Sequence, residues 1–499
     1  MGKLTDKVAK GVFWVLLEKC GVQGAHFVVT LVLARILTPD DYGTVALLSV
    51  FIAISKLLVD CGFCKALVQK KDASQTDYDT VFYLSLSFAA LAYAALFAAA
   101  PSVAGFYGIP DLCPMLRLLA VSIVFHSVNG VQNVELNRKM KFELSFRISW
   151  VETVVSSVSG VTLAILGYGP WALVGATLSG GLAGTVARQL VIAWRPTWDF
   201  SWRSARSLFA FGWKMAAGSL VTEAYNNVFA LVIGKIYTRA DLAFWKKGGN
   251  AAGVIMNEVD ATIARVSFPA LARMQGDRDR MRGAMRRMIR ASSFFVFPLM
   301  AVCAVLGEAV VVNLFGSQWR EAVPYFLLAC FSCSLKPFNT VNIQSIVARG
   351  RSDVFLRLVC VNQLMALVSL AVTYRYGVFA MVLSFTMIVG PVRTLLNSLP
   401  NARGVGYSLA GQLRDVLPSA ALAGVAAAGV YLATSPFVGD SLARILLGLP
   451  LGMTIYLTLA VAFRLTALKV CYQALRPVVE GRFPKSAGFW NLAGRLIER

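Results

Sequence analysis

The chain has 499 residues, of which 57% are hydrophobic and 15% are charged, and its mean hydropathy is +0.65. Soluble domains typically carry about 25% charged residues, and disordered chains combine low hydrophobicity with high charge, so the composition excludes both classes. The net charge of +22 leaves three alternatives: nucleic-acid binding, contact with acidic lipid, or the topology of a membrane protein.

Apolar stretches of about 20 residues predict an all-α polytopic membrane protein with about fourteen transmembrane helices. The predicted spans, numbered in chain order, are 11–35, 42–64, 81–105, 112–134, 143–167, 169–193, 208–235, 241–270, 291–315, 321–348, 353–375, 377–400, 413–434 and 441–463.

The basic residues between these spans are distributed unequally between the two sides of the membrane. Connections and adjoining span ends on the side of the N-terminus carry 31 of them, and those on the opposite side carry only Arg239, Arg320 and Arg375. Because cytoplasmic loops are enriched in Lys and Arg, both termini are predicted to be cytoplasmic. This topology accounts for most of the positive charge, so we expect no nucleic-acid partner. The basic tail 465–499 is either an amphipathic segment on anionic lipid or a solvated segment.

An internal repeat at an offset of 200 residues relates the two halves of the chain. The segment Leu31–Tyr42 aligns with Leu231–Leu242, and Asp60 aligns with Asp260. Span 1 therefore corresponds to span 7, and span 2 to span 8. Six spans separate the copies, so the repeats are predicted to be parallel and related by a pseudo-two-fold axis along the membrane normal.

This repeat predicts two six-helix lobes and two additional C-terminal helices. The predicted regions are an N-lobe at 1–194, a cytoplasmic linker at 195–207, a C-lobe at 208–400, helices 13 and 14 at 401–464, and the cytoplasmic tail at 465–499.

Polar residues at helical spacing lie within several predicted spans. Lys19, Gln23 and His26 share one face of span 1, and Lys246, Asn250 and other residues follow the same spacing in span 8. We interpret these stripes as the lining of a wet central cleft, although polar side chains also join buried helices to one another. The predicted substrate-binding residues are Lys19, Gln23, His26, Lys56, Arg147, Lys214, Lys246, Lys247, Asn250, Asn257 and Lys336.

Three acidic residues, Asp60, Glu223 and Asp260, are predicted candidates for ion coupling. An ion pair of Asp60 with Lys56, or of Asp260 with Arg265, explains two of them equally well. Cations outnumber anions among the intramembrane residues, which favours an anionic substrate because Lys and Arg bind phosphate. A cation exporter of the drug type is expected to show the reverse balance.

Sequence motifs for chemistry are absent: we find no Walker motif, H-E-x-x-H motif or plausible G-x-S-x-G site. The sequence therefore predicts no catalytic residue, metal or cofactor. The predicted outer loops are short, whereas membrane polymerases and glycosyltransferases generally need a substantial outer loop.

Several motifs together resemble polysaccharide flippases of the Wzx type, in the branch that is similar to colanic acid exporters. They are Leu33–Gly43, Ala66–Lys71, Thr80–Phe82, Phe268–Arg273, Phe315–Trp319 and Ala348–Asp353. The family belongs to the superfamily of multidrug, oligosaccharidyl-lipid and polysaccharide exporters.

The resemblance implies a flippase in the bacterial cytoplasmic (inner) membrane. Its substrate would be an undecaprenyl-diphosphate-linked oligosaccharide repeat unit, moved to the outer leaflet by alternating access for exopolysaccharide, O-antigen or capsule biosynthesis. A polysaccharide polymerase and glycosyltransferases are the implied partners, together with the lipid bilayer. The alternatives are an ion-coupled small-molecule antiporter and, less favoured, a membrane polysaccharide polymerase.

Overall fold

The computed structural model describes residues 21–60, 62–70, 73–139, 141–437 and 441–473. These residues form helices joined by short turns, and no strand occurs among them. The predicted all-α class is therefore confirmed. The chain folds into two compact units, Met1–Ala243 and Phe244–Arg499. The predicted boundaries of the lobes, linker and tail stay predictions.

The first unit contains nine helices in its described residues and the beginning of a tenth. They are α1 (Gln23–Ile36), α2 (Pro39–Asp60), α3 (Phe63–Gln69), α4 (Gln75–Tyr107), α5 (Leu112–Leu119), α6 (Val121–Arg138), α7 (Phe142–Ile165), α8 (Trp171–Val191), α9 (Trp202–Ile236) and α10 (Arg239–Ala272), which continues into the second unit.

The second unit continues from α10 with a further series of helices. They are α11 (Arg278–Val305), α12 (Gly307–Phe315), a 3₁₀ turn (Ser317–Ala322), α13 (Val323–Ser334), α14 (Lys336–Ala348), α15 (Ser352–Thr373), α16 (Val378–Ser384), a π-turn (Phe385–Val389), α17 (Gly390–Val405), α18 (Leu409–Thr434), a 3₁₀ turn (Ser435–Phe437) and α19 (Ser441–Ala462).

Each predicted span overlaps one or more of these helices. Within the described ranges, nine helical segments are long and apolar enough to cross a membrane. The chain is thus a multi-pass membrane protein, and the count of fourteen spans stays a prediction. Spans 4, 9 and 10 differ from continuous helices, because each is interrupted, at Ala120, Leu306 and Leu335 respectively.

Matching caps begin the two helices that the repeat relates. The Thr38 Oγ1 donates to the Asp41 carboxylate at 2.8 Å, and the Asp41 N–H donates back to Thr38 Oγ1 at 3.3 Å. Thr238 and Asp241 form the same pair of bonds at 2.6 Å and 3.1 Å. Such reciprocal bonds satisfy N–H groups that a helix start leaves unpaired. The predicted repeat thus reproduces one local structure at α2 and α10.

Close packing holds α2 against the end of α9 in the first unit. A Cβ at Gly43 would overlap the carbonyl oxygen of Arg239, and a Cβ at Gly234 would overlap the Leu47 side chain. Only glycine permits this approach of one backbone to its neighbour. These contacts hold the first half of α2 against the end of α9 and the first residue of α10 within the unit.

The apolar surface is divided between cores and outward faces. Leu48, Leu116 and Ile123 are buried in one core of the first unit, and Met285 and Val341 in one of the second. Many other large apolar side chains remain exposed on long helices, including Val158, Leu190, Leu364, Val372 and Leu432. Such faces suit contact with lipid tails, as expected for membrane-spanning helices.

Candidate functional site

The first polar cluster lies where α2 and α6 approach each other in the first unit. Lys56 and Asp60 both act electrostatically on His126 of α6. The Cys64 thiol of α3 also interacts electrostatically with the Asp60 carboxylate. No ion pair joins Lys56 to Asp60 within the described residues, so the alternative that these two simply neutralise each other gains no support. The cluster brings a cation, a carboxylate and an imidazole together inside predicted spans.

A second group of charges extends this cluster towards α7 and α8. Lys56 interacts electrostatically with Glu152 of α7. The Arg188 Nη1 of α8 lies 3.5 Å from Glu152 Oε2, and its Nε donates to Asn133 Oδ1 of α6 at 3.2 Å. Two cations and two carboxylates therefore share this region. The excess of positive charge that the sequence predicts is balanced here.

In the second unit, a corresponding cluster joins α10 to α14. The Lys336 Nζ donates to Asn257 Oδ1 at 2.6 Å, and the Thr340 hydroxyl donates to the Asp260 carboxylate. Lys336 and Asp260 are both half-buried. Two of the predicted substrate-binding residues, Asn257 and Lys336, are therefore in direct contact. The repeat relates Asp60 to Asp260. Each lies in a polar cluster with a helix from the fourth span of its own half, which is α6 for Asp60 and α14 for Asp260.

An amide network continues from this cluster along α14, α15, α17 and α18. The Asn339 Nδ2 donates to Thr394 Oγ1 at 3.1 Å, the Asn397 Nδ2 donates to Asn339 Oδ1 at 2.8 Å, and the Asn362 Nδ2 donates to Asn397 Oδ1 at 3.2 Å. Further along, the side chains of Asn342, Asn401 and Gln412 bond to one another. Because buried amides need partners, this network fixes the register of the four helices.

Several predicted site residues lie on exposed helix faces. Gln23, His26 and Asn250 are exposed, and Arg147 pairs with Glu143 at 2.6 Å on the surface of α7. Glu223 accepts a bond from Asn227 of the same helix at 2.9 Å. Lys246 is half-buried. Lys19 and the Lys214 side chain lie outside the described part of the structure, and their roles stay predictions.

Lys247 lies in an aromatic pocket of the second unit. It is 9% exposed, and its Nζ lies 4.7 Å from the ring centre of Phe315 and 5.1 Å from that of Trp319. Both rings belong to the motif Phe315–Trp319, so this motif supplies the aromatic contacts of the lysine. Attraction to the two rings offsets part of the cost of removing the ammonium from water. Lys247 is thus part of the packing of the second unit, and its predicted contact with substrate is untested.

Sequence reasoning missed His126, Asn133 and Arg188, which complete the first cluster. A signal was present, because His126, Asn129 and Asn133 follow the spacing i, i+3, i+7 and share one face of α6. The Asn129 Nδ2 donates to Thr185 Oγ1 of α8 at 3.0 Å, which shows that this face meets α8. The polar faces that we assigned to the cleft lie mainly on spans 1, 2, 7 and 8. The polar face of span 4, which contains His126, was not among them.

Long helices with apolar outer surfaces and polar clusters between them define a multi-pass membrane protein. A model of the family described as "Polysaccharide biosynthesis protein" matches residues 32–324, which is more than half of the chain. The chain belongs to this family, and the resemblance found in its motifs is confirmed.

Curated relatives agree with this assignment. The chain is 27% identical over 334 residues to the "Succinoglycan biosynthesis transport protein ExoT" of Rhizobium meliloti, covering 67% of this chain and 68% of the relative. It is 25% identical over 358 residues to the "Lipopolysaccharide biosynthesis protein WzxC" of Escherichia coli, covering 70% and 72%. It is 22% identical over 469 residues to the "Teichuronic acid biosynthesis protein TuaB" of Bacillus subtilis, covering 92% and 96%.

Solved structures show the same fold. A structure titled "Lipid II flippase MurJ, inward closed conformation" has a TM-score of 0.71 at 12% identity and covers 91% of this chain and 98% of that one. An inward-facing multidrug resistance transporter of the MATE family has a TM-score of 0.55 at 14% identity, with coverage of 82% and 98%.

Proposed function

We propose that this protein is a flippase that moves an undecaprenyl-diphosphate-linked oligosaccharide repeat unit across the cytoplasmic membrane of a bacterium. The observation that carries the proposal is membership of the polysaccharide biosynthesis family, together with a relative that is named a transport protein. Each relative named above takes part in making a different polymer. The shared task is therefore proposed to be export of the lipid-linked precursor rather than formation of one particular sugar linkage.

The physical obstacle to flipping is the polar headgroup. Its sugars and phosphates must cross a hydrocarbon layer of about 30 Å, in which an unpaired charge is costly. The clusters around Asp60 and Asp260 place charged and amide groups within helices of both units. These groups are proposed to replace water around the headgroup while the polyprenyl tail remains in lipid.

Alternating access of the two predicted lobes is the proposed mechanism. We propose Asp60, Glu223 and Asp260 as ion-coupling residues, with Asp60 supported by the proximity of His126 and Asp260 by its bond from Thr340. An ion gradient or the membrane potential would supply the energy, the latter at about 2.3 kcal/mol per charge per 100 mV.

The proposed orientation has both termini in the cytoplasm, since the basic connections lie on that side. Glycosyltransferases would then deliver the substrate to the inner leaflet, and a polymerase would consume it at the outer leaflet.

The proposal is tested in a strain that lacks the chain and is complemented with full-length variants. We expect deletion to abolish surface polysaccharide and to cause accumulation of the lipid-linked intermediate. Asp60→Asn and Lys336→Gln should lower polysaccharide output at least about tenfold, whereas Arg375→Gln, a charge removal in an exposed loop, should not. Immunoblotting of membranes checks that all variants insert equally.

Two results would count against a flippase. Normal polysaccharide in the deletion strain, combined with accumulation of a cationic dye in the cytosol, favours the small-molecule antiporter. Accumulation of unpolymerised repeat units on the outer leaflet favours a polymerase.

A further inference from the structure

The motif Ala348–Asp353 contains an arginine whose guanidinium is held in one position. The Arg349 Nη2 donates to Asn401 Oδ1 at 2.7 Å and to the Pro400 carbonyl at 3.5 Å, and its Nε donates to the Ser345 carbonyl at 3.3 Å. A Cβ at Gly404 would overlap Nη1, so a larger residue there would displace the guanidinium from this position. All these acceptors are neutral.

Two more arginines approach this fixed cation. Burial lowers the pKa of Arg349, and the charges of Arg351 and Arg278 lower it further. Each repulsive contact of this kind is unfavourable in the absence of an anion. Asp353 compensates Arg351 only in part, because its oxygens lie 3.4 Å from Arg351 and 3.5 Å from Arg357, a second cation.

Two long helices, α11 and α15, begin close to Arg349. Arg278 is the first residue of α11, and Arg351 directly precedes α15, where no side chain of the N-cap residue bonds to the helix. The Gln275 side chain donates to the Ala348 carbonyl, which ties the start of α11 to the end of α14. Helix N-termini carry partial positive charge and favour anions. At α11 the Asp277 carboxylate already fills this role, since it accepts from the N–H groups of Asp279 and Arg280, so the start of α15 is the one that adds to the site.

A nearby group of arginines shows a different arrangement. Arg286 and Arg290 converge on Asp415, with N–O distances of 2.5 Å and 2.6 Å. The second unit therefore supplies a buried carboxylate to one arginine cluster, whereas the described residues around Arg349 provide it with neutral acceptors.

We propose that Arg278, Arg349 and Arg351 form a binding site for the phosphate groups of a membrane-lipid headgroup. Arginine offers paired N–H groups that match phosphate oxygens, and an anion would relieve the repulsion among the three side chains. The basic connections predict that this end of the second unit is cytoplasmic, where a precursor would enter. Identification of the ligand as the diphosphate of the precursor rests on the proposed function; an anionic phospholipid offers the same chemistry.

Native mass spectrometry of the purified full chain in a neutral detergent tests the site. The titrated lipids are undecaprenyl diphosphate, phosphatidylglycerol and, as a neutral control, undecaprenol. We expect the double variant Arg278→Gln/Arg351→Gln to raise the Kd for undecaprenyl diphosphate about tenfold or more, since charged hydrogen bonds are lost. Arg287→Gln, which removes an exposed charge from the same helix, should bind like the original protein. Gly404→Ala, which displaces the Arg349 guanidinium, should weaken binding as the double variant does.

The outcomes separate the site from its ligand and from the proposed function. Equal affinity of the original protein and both variants for every phosphate-bearing lipid overturns the site. Arginine-dependent binding of phosphatidylglycerol with equal affinity supports the site and assigns it to bulk anionic lipid. Arginine-dependent binding of undecaprenyl diphosphate, found together with normal polysaccharide in the deletion strain, supports the site and refutes the flippase.

Discussion

Removal of the Asp415 charge should strongly destabilise the second unit. Asp415 of α18 is 2% exposed and accepts two hydrogen bonds from Arg286, one from Arg290 of α11 and one from Tyr407 at 2.9 Å. Asp415→Asn preserves the shape of the side chain but leaves two guanidinium groups without their anion. Arg286 is 51% exposed and can be solvated again, whereas Arg290 is only 19% exposed.

The expected loss is about 3 kcal/mol, since removing one partner of a buried ion pair costs roughly 3–5 kcal/mol and the exposure of Arg286 reduces this value. For a unit of this size, the loss corresponds to a decrease in apparent Tm of about 6–12 °C. Fluorescence-detected size-exclusion chromatography of heated membrane extracts measures the decrease. The matched control is Asp279→Asn, because Asp279 is 83% exposed and its pair with Arg282 should contribute less than about 1 kcal/mol.

A double-mutant cycle provides the decisive comparison. Arg290→Gln should cost little in the presence of Asp415→Asn, because the buried charge has already lost its partner. The reasoning is refuted if Asp415→Asn leaves the Tm unchanged, or if the two decreases in Tm simply add.

Three further predictions concern packing, capping and the aromatic pocket. Gly43→Ala should lower the apparent Tm by the equivalent of about 1–3 kcal/mol, whereas Gly249→Ala, where a Cβ meets nothing within 4 Å, should not; equal effects would contradict the packing described for α2. Asp41→Ala and Asp241→Ala should each cost about 1 kcal/mol, and a null result in thermal unfolding of either variant would show that its cap is dispensable. Lys247→Met should leave the apparent Tm unchanged or raise it, because it removes a buried charge while keeping an apolar chain over the rings, and it should preserve polysaccharide output; loss of output from a stably inserted variant would instead support the predicted substrate contact.

The helices of this protein are largely predictable because each must satisfy its own backbone in lipid. Continuous apolar stretches therefore located a helix in every predicted span, and the repeat aligned the two segments that contain the matching caps of α2 and α10. The interruptions at Ala120 and Leu335 were not foreseen, since the apolar composition continues through them.

The candidate site was predictable only in part. Periodicity indicated which face of a helix is polar, and the contact between Asn257 and Lys336 follows from two such faces. Periodicity does not identify the neighbour that a face meets. The rings that contact Lys247 come from a motif about 70 residues further along the chain. His126 lies near Asp60 because α6 packs against α2.

The π-turn at Phe385–Val389 determines how the rest of its span is oriented. A π-turn inserts one residue into a helix, so α17 is rotated by about 100° relative to an uninterrupted α-helix of the same sequence. Thr394, Asn397 and Asn401 follow this turn and meet α14 with their polar groups. Deletion of a single residue from the turn would swing all three towards other neighbours at once. The partners of the amide network therefore depend on the position of the π-turn. A shift of the turn along the span would rotate these side chains to a different face while the segment stays helical.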